Sequence, residues 1–553
     1  MIKKKHKQVN ITTRHDGWKV FISTLLSIIS ITSSQAQQTK EQVLPPKLVI
    51  GITIDQLRGD YLQYFLHSFG DKGFKRLLRE GLVYQQLQFD YSNISSASSI
   101  ATIYTGTNPY YHGITGDKKY DWNKLREVPI LDDQNFIGNY TSETQSPNNL
   151  KSSTIADELK AASQGKSLVY AIAPNAAQAI ISAGHAANAA FWIEDYNGKW
   201  ATTTYYKDIP FYVEQYNLSE SLPFKINNLV WQPSLHFYNA FPYRQQDEKD
   251  EYIKPFKYLF YSKDKFLQVK TSPFINKEVT SMAERFLRNE NFKGKTVPGM
   301  LSLTYYAGHY QDAEHKEFSA EIQDSYYLLD KEIGLLLEHI EKYIGIKNTL
   351  LFITSTGYSE TKENPSDIID PIGMFYPNRC TALLNMYLMS VYGQGDWVLG
   401  YYQNQLFLNH KLIEDKQIHL KEIQRKAAEF TIQFSGVQDV STWTDMLYGN
   451  WNESAVRFRN GSHKGITGDI IIELQPGWVL VDEKNISQNK TIRNNAVIAP
   501  LIFWGYQTHA QKVERIVKAT EIAPTLSHVL RIRPPNAAKE LPLREFIYFL
   551  NNE

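Results

Sequence analysis

Four stretches of the chain are apolar almost without interruption and rich in β-branched residues: "KLVIGITID" (47–55), "GMLSLTYY" (299–306), "NTLLFITST" (348–356) and "NAVIAPLIFWG" (495–505). A continuous apolar run, unlike an alternating one, suits a strand buried on both faces, as in a central parallel sheet. Between these runs the period changes. In "EIQDSYYLLDKEIGLLLEHIEKYI" (321–344), Ile322, Tyr326, Leu329, Ile333 and Leu337 recur at three-to-four spacing and mark one face of a helix. Strands alternating with helices predict an α/β fold, a central and mostly parallel sheet flanked by helices, whose sites gather at the carboxyl ends of the strands.

The pattern departs from this in three places. From about Asn197 to Thr296 it turns to Tyr, Trp, Pro and Phe with scattered charge, as in "WQPSLHFYNAFPYRQ", which reads as an inserted cap subdomain. From Cys380 to Asp415 it reads as mostly helical and aromatic. At the start, "MIKKKHK" precedes an apolar run from Val20 to Ile31 and the small-residue site Ser34-Gln35-Ala36. That is the pattern of a signal peptide over 1–36, followed by a polar linker over 37–46 and one domain over 47–553. The apolar run falls short of the roughly 20 residues of a membrane span, so the expected product is periplasmic with no span after cleavage. An uncleaved anchor is the alternative.

Charge narrows the partners. Lys plus Arg (59) and Asp plus Glu (58) nearly cancel, so no global field recruits nucleic acid or an anionic membrane surface. The single cysteine, Cys380, permits no intramolecular disulfide.

Candidate chemistry lies where the apolar runs end. Asp55 closes the first run, where an aspartate serves either as a metal ligand or as the N-cap of a following helix. In "NISSASSIATIYTGTNPYYHGI" (93–114), Ser96 is a nucleophile or a helix-capping hydroxyl. His309, Asp312 and His315 at three-residue steps form either a metal site on one helical face or a solvated helix start. His185 reads as a loop-ordering residue.

Several segments together, among them "VIGITIDQLRGDYL", "ATIYTGTNPYYHGITG", "AIISAGHAANAAFWIEDYNGKWATTTYY" and "GDIIIELQPGWVL", carry a family likeness from about Leu48 to the C-terminus. The chain resembles the phosphate-irrepressible alkaline phosphatases of the alkaline phosphatase superfamily, close to the phosphodiesterase/nucleotide pyrophosphatase branch. The resemblance implies an alkaline-phosphatase-like sheet, a threonine or serine nucleophile, and two zinc ions held by six protein ligands.

Carried over residue by residue, the nucleophile falls on Ser96, but without the Pro-Gly-His that follows it in the family. Of the ligands, the first aspartate falls on Asp55 and is kept. The Asp-x-x-x-His pair falls on "YYAGH", where Tyr305 replaces the aspartate and His309 remains. The Asp-His pair falls on Thr356-Gly357, and the last histidine on Ile498. The Lys-Asp-Arg phosphate clamp falls on Asn175-Ala176-Ala177, and an asparagine that holds a phosphate oxygen falls on Asp117.

With four of six ligand positions and both clamp cations replaced, the resemblance implies no bound zinc or other cofactor. The expected protein is a catalytically degraded pseudoenzyme, a binding or scaffold component with a protein partner in the cell envelope that the residues do not identify. The rival is an active metal-dependent phosphomonoesterase or phosphodiesterase using Ser96, with Glu360, Asp367, Asp370 or His463 completing a rearranged site. A third possibility is a protein that keeps a pocket for a nucleotide or sugar phosphate without turning it over.

Overall fold

Every residue of the strand formed by the first apolar run, β1 (Leu48–Asp55), is buried, and among the described residues it lies in the middle of an eleven-stranded sheet. The computed structural model describes residues 44–546 apart from 123, 125, 207–208, 235–255, 314–318, 361–371, 450–452, 484–488 and 494–495. The signal segment expected over 1–36 lies outside the described residues.

The strands that matter here are, in chain order, β1, β2 (Leu82–Gln88), β3 (Val169–Ala173), β4 (Ala189–Ile193), β5 (Trp200–Thr203), β6 (Gly299–Tyr306), β7 (Thr349–Ser355), β8 (Val398–Tyr402), β9 (Gln405–Leu408), β10 (Val437–Thr442), β11 (Ile470–Leu474), β12 (Ala499–Gly505) and β13 (Gln511–Val513). Across the main sheet they run β13-β2-β12-β7-β1-β6-β3-β4-β5. The five from β7 to β4 are parallel, while β12 and β5 run against their neighbours. The fold is therefore α/β with a central, mostly parallel sheet, and the four continuous apolar runs are the strands β1, β6, β7 and β12. Register brings their carboxyl ends level: Asp55 pairs with Tyr306, and Ile54 with Ser355.

The helices used below are α1 (Ser96–Thr105), α2 (Ala176–Ala183), α3 (Lys265–Lys270), α4 (Phe274–Asn289), α5 (Ala320–Tyr343), α6 (Pro377–Tyr392) and α7 (Leu420–Thr431). All ten residues of α1 are buried, which explains its small side chains. Its cap is Ser95, one residue before the serine expected to cap it: Ser95 Oγ accepts from Ser98 N, and Ser98 Oγ accepts from Ser95 N. Gly106, at φ +66°, ends the helix in the left-handed conformation that glycine adopts without penalty.

The span expected as a cap shares its ends with the sheet layer. β5 pairs with β4, and α4 packs on β6 and α5. A second hydrophobic core lies further along, built by α6, α7 and the small sheet β8-β9-β11-β10 around Leu384, Leu388, Trp397, Ile423 and Ile470. Within 380–415 the chain is helical over 380–392 and His410–Asp415, as expected, but a hairpin that the sequence reading missed lies between. After α6 comes a hairpin, β8–β9, whose two-residue turn places Gln403 and Asn404 at φ +49° and +61°. Glutamine is an unusual residue for that turn, and β8 is half-exposed, so neither turn chemistry nor an apolar run announces it.

Candidate active site

The carboxyl ends of β1, β6 and β7 open into a cavity of about 390 Å³, lined also by the N-termini of α1 and α2 and by α3. At its floor the chain leaves β1 through Gln56, a non-glycine residue held at φ +61°. Two bonds fix that turn: Gln56 N donates to Thr356 Oγ1 (2.9 Å) and Gln56 Oε1 accepts from Glu360 N (3.0 Å). The turn aims Asp55 into the cleft. It caps no helix: the helix over 59–64 has Arg58 at its N-cap position, so the capping role read from the sequence is not the one Asp55 performs.

Both oxygens of Asp55 are held by neutral donors. Gln178 Nε2, from the first turns of α2, donates to Oδ2 (3.0 Å), and Thr356 Oγ1 donates to Oδ1 (3.1 Å). The same Gln178 nitrogen donates to Ser96 Oγ (2.8 Å), which ties the nucleophile position to Asp55 through one buried amide. Burial pushes the Asp55 carboxyl up to about 7, with the charges of Asp117 and Glu360 adding to the effect and hydrogen bonds from Thr356 and Ser96 opposing it. Asp117 Oδ1 accepts from Ala97 N (2.9 Å), so this carboxylate sits at the positive N-terminus of α1. Lost solvation along the wall and the nearby Glu360 raise it to about 6, against the pull of the Ala97 amide. Asp117 is open to solvent in the cleft, so its shift is softer than that of the buried Asp55.

Asn175, Ala177 and His309 also line the cavity, as the resemblance requires of their positions. Tyr305 does not. Alternation along β6 turns it into the core, where its hydroxyl meets Thr280 Oγ1 (3.1 Å), and Tyr306 forms the wall instead. Ile498 is 54% exposed and lies off the cavity. His185 is held by Asp157 Oδ2 (3.0 Å) and Leu150 O (2.9 Å), a loop-ordering arrangement. His463 meets Tyr110 O, and Asp312 accepts from Gln268, and neither lines the cavity. His315, Asp367 and Asp370 lie outside the described residues.

The sequence also hid a cation. No positive charge stands at 175 or 177, but Lys270 of α3, itself buried, reaches the same wall and donates to Asn175 Oδ1 (3.3 Å) and to Asp195. It comes from a helix 95 positions away in the chain, so no motif could have shown it.

Zinc takes three or four N, S or O donors. Of the six positions assigned to ligands, only Asp55 and His309 bring such a donor to the cleft. The Thr356 hydroxyl is committed to Asp55, and a Cβ at Gly357 would meet the Phe89 ring at 2.4 Å, leaving no room for a ligand side chain. Among the described residues, no three His, Cys, Asp or Glu side chains converge as a metal site would need. The donor set described does not fit a two-zinc centre.

Residues 49–496 match the family model of the type I phosphodiesterase / nucleotide pyrophosphatase family. A Myroides odoratus protein described as a calcium-transporting ATPase is 30% identical over 95% of this chain and 99% of its own. The alkaline phosphatase PafA of Elizabethkingia meningoseptica is 25% identical over 95% and 98%, and the alkaline phosphatase PhoV of Synechococcus elongatus 26% over 93% and 96%. The crystal structure of wild-type PafA superposes with a TM-score of 0.78 at 24% identity, covering 91% of this chain and 99% of that one. The chain belongs to the type I phosphodiesterase / nucleotide pyrophosphatase family, within the alkaline phosphatase superfamily.

Proposed function

We propose that this member of the phosphodiesterase family is an exported binding protein that keeps the phosphatase fold but no longer performs metal-dependent phosphoryl transfer. The observation that carries the reading is the state of Asp55, whose two oxygens are taken by Gln178 and Thr356. A catalytic pair of metal ions would polarise the hydroxyl, neutralise the phosphoryl oxygens and stabilise the leaving group. Here Ser96 faces an amide instead. At the N-terminus of α1, where a substrate oxygen would be received, Asp117 already accepts the Ala97 N–H, and its charge repels a phosphate. Export is supported by the basic and apolar N-terminal pattern, and no helix among the described residues is long and apolar enough to cross a membrane.

A second reading, a hydrolase using Ser96, draws support from the relatives named alkaline phosphatases and from a carboxyl near pH 7 beside that hydroxyl. One preparation separates the two. Protein purified without chelator is analysed for zinc and assayed with p-nitrophenyl phosphate and bis-p-nitrophenyl phosphate. The binding-protein reading expects neither metal nor turnover. Turnover abolished by Ser96→Ala would establish the hydrolase.

A further inference from the structure

Helix α6 is apolar on the face it buries and also on the face it does not. Inward, Cys380, Leu384 and Leu388 enter the second core. Outward, Ala382, Leu383 and Met386 are exposed, Met386 with 60% of its surface bare, and Met389 is half-buried beside them. A surface helix ordinarily turns charged side chains to water, and a helix that is apolar all round is a covered one. Along its whole length α6 holds a single charged side chain, Arg379, and no acid.

The bare face continues beyond the helix. The short strand Gly373–Phe375 leads into α6 and, among the described residues, pairs on one side only, with Trp478–Leu480. Met374 is 47% and Tyr376 39% exposed, and the Tyr376 hydroxyl donates to Met374 Sδ (3.4 Å), which joins strand and helix in one surface. From Tyr376 onward, Arg379, Leu383, Met386 and Ser390 follow at alternating steps of three and four, the spacing of a seam between paired helices.

The ends of α6 say what completes that seam. Arg379 stands in the first turn, where the helix dipole is positive, and makes no ion pair among the described residues; the last turn holds no basic residue to answer its negative end. Each end offers what the other lacks. Laid antiparallel against a second copy, the Arg379 of each chain reaches the C-terminal turn of the other's helix, and Leu383 meets Met386.

We propose that two copies of the chain pair through this face, α6 against α6 about a two-fold axis, with Met374 and Tyr376 at the rim. Both copies present the same surface, so the contact closes at two. The strip is about 30 Å long and one helix wide, on the order of 600 Å² per copy or about 1,200 Å² per pair, the lower end of a specific interface. Association is therefore expected at micromolar concentration. The pairing does not depend on whether the cleft holds metal.

The test is sedimentation velocity on the full chain as exported, from about 1 to 100 µM, beside flotation with vesicles of phosphatidylethanolamine and phosphatidylglycerol. A monomer–dimer equilibrium within that range is the expected result. Met386→Asp puts an acid in the middle of the seam, at an exposed position that spares the core, and should weaken dimerisation about tenfold or more. Arg379→Glu should weaken it severalfold, although an acid in the first turn favours the helix itself, so lost folding would not account for the result. Phe211→Asp, at a position 77% exposed on another helix, should change nothing and tells the seam from general stickiness. A monomer at every concentration, a dimer that Met386→Asp leaves intact, equal weakening by Phe211→Asp, or vesicle binding that Met386→Asp abolishes would overturn the proposal, the last by making a membrane the cover of this face.

Discussion

Two aspartates in this molecule are almost equally buried, Asp55 at 5% and Asp469 at 6% exposure, and their surroundings differ in kind. Asp469 opens the second core. Its Oδ1 accepts from Gln424 Nε2 and His410 Nε2, each at 2.8 Å, and its Oδ2 from Leu408 N at 2.8 Å. One carboxylate thereby fastens α7, β9 and the start of β11, with an imidazole to answer its charge. Asp55 is held by neutral groups, Gln178 at 3.0 Å, Thr356 at 3.1 Å and the Ser96 hydroxyl, and the charged neighbours that act on it in the cleft are other acids. A buried charge that serves architecture is fully bonded and compensated. Asp55 is bonded but not compensated, so the fold keeps it at a cost that architecture does not explain.

The sharpest break of that comparison is Asp469→Ala. It strands the Leu408 amide and the Gln424 side chain in a small core, and should cost about 3 kcal/mol by urea unfolding. A loss below about 1 kcal/mol would mean that the bonding of Asp469 is incidental, and the contrast with Asp55 would fail.

Asp55→Asn should move stability the other way. The folded pKa of about 7 lies above the ordinary 3.8, so the native state holds a proton that the unfolded chain has released. Its contribution is full below pH 3.8 and is lost as pH rises through about 7. Asparagine carries no charge to bury. The variant should match wild type near pH 4 and exceed it by about 2 kcal/mol at pH 8, less than the full shift because the neighbouring carboxyls titrate together. Thermal melts across that range decide it, and a variant less stable than wild type at pH 8 would place Asp55 with Asp469.

Gln178→Leu has a smaller expected effect. It removes the donor shared by Asp55 and Ser96 while keeping volume, and should cost about 1 kcal/mol, read by the same melts. A cost near that of Asp469→Ala would make Gln178 the keystone of the cleft wall, its contact with Asp55 secondary.

The scaffold was legible in the chain because β1, β6, β7 and β12 are buried on both faces and so must be apolar throughout. The second core was not, since β8 is half-exposed and its turn rests on Gln403 and Asn404. In the cleft, sequence supplied Asp55, Ser96, Asp117, Asn175, Ala177 and His309, all of which line the cavity. It could not supply Gln178 or Lys270. Gln178 lies 123 positions from Asp55 on a helix whose other residues are mostly small and apolar, and a lone glutamine there carries no signal until the fold brings it to a carboxylate. The choice between Tyr305 and Tyr306 turned on strand parity, which a one-residue uncertainty in register reverses.

The smallest expected effect concerns zinc, and it tests the comparison from the side of the ligand. A metal that binds the native state at 100 times its dissociation constant adds about 2.7 kcal/mol to stability, which a melting curve registers as several degrees. In this cleft zinc would have to take Asp55 from Gln178 and Thr356, find His309 as its only other retained donor, and do without a side chain at Gly357. Melting temperatures with added zinc and with chelator should therefore coincide. A rise with zinc that Asp55→Asn removes would mean that the two neutral donors yield to a metal, and that the uncompensated charge of Asp55 is the vacancy of an enzyme's ligand set.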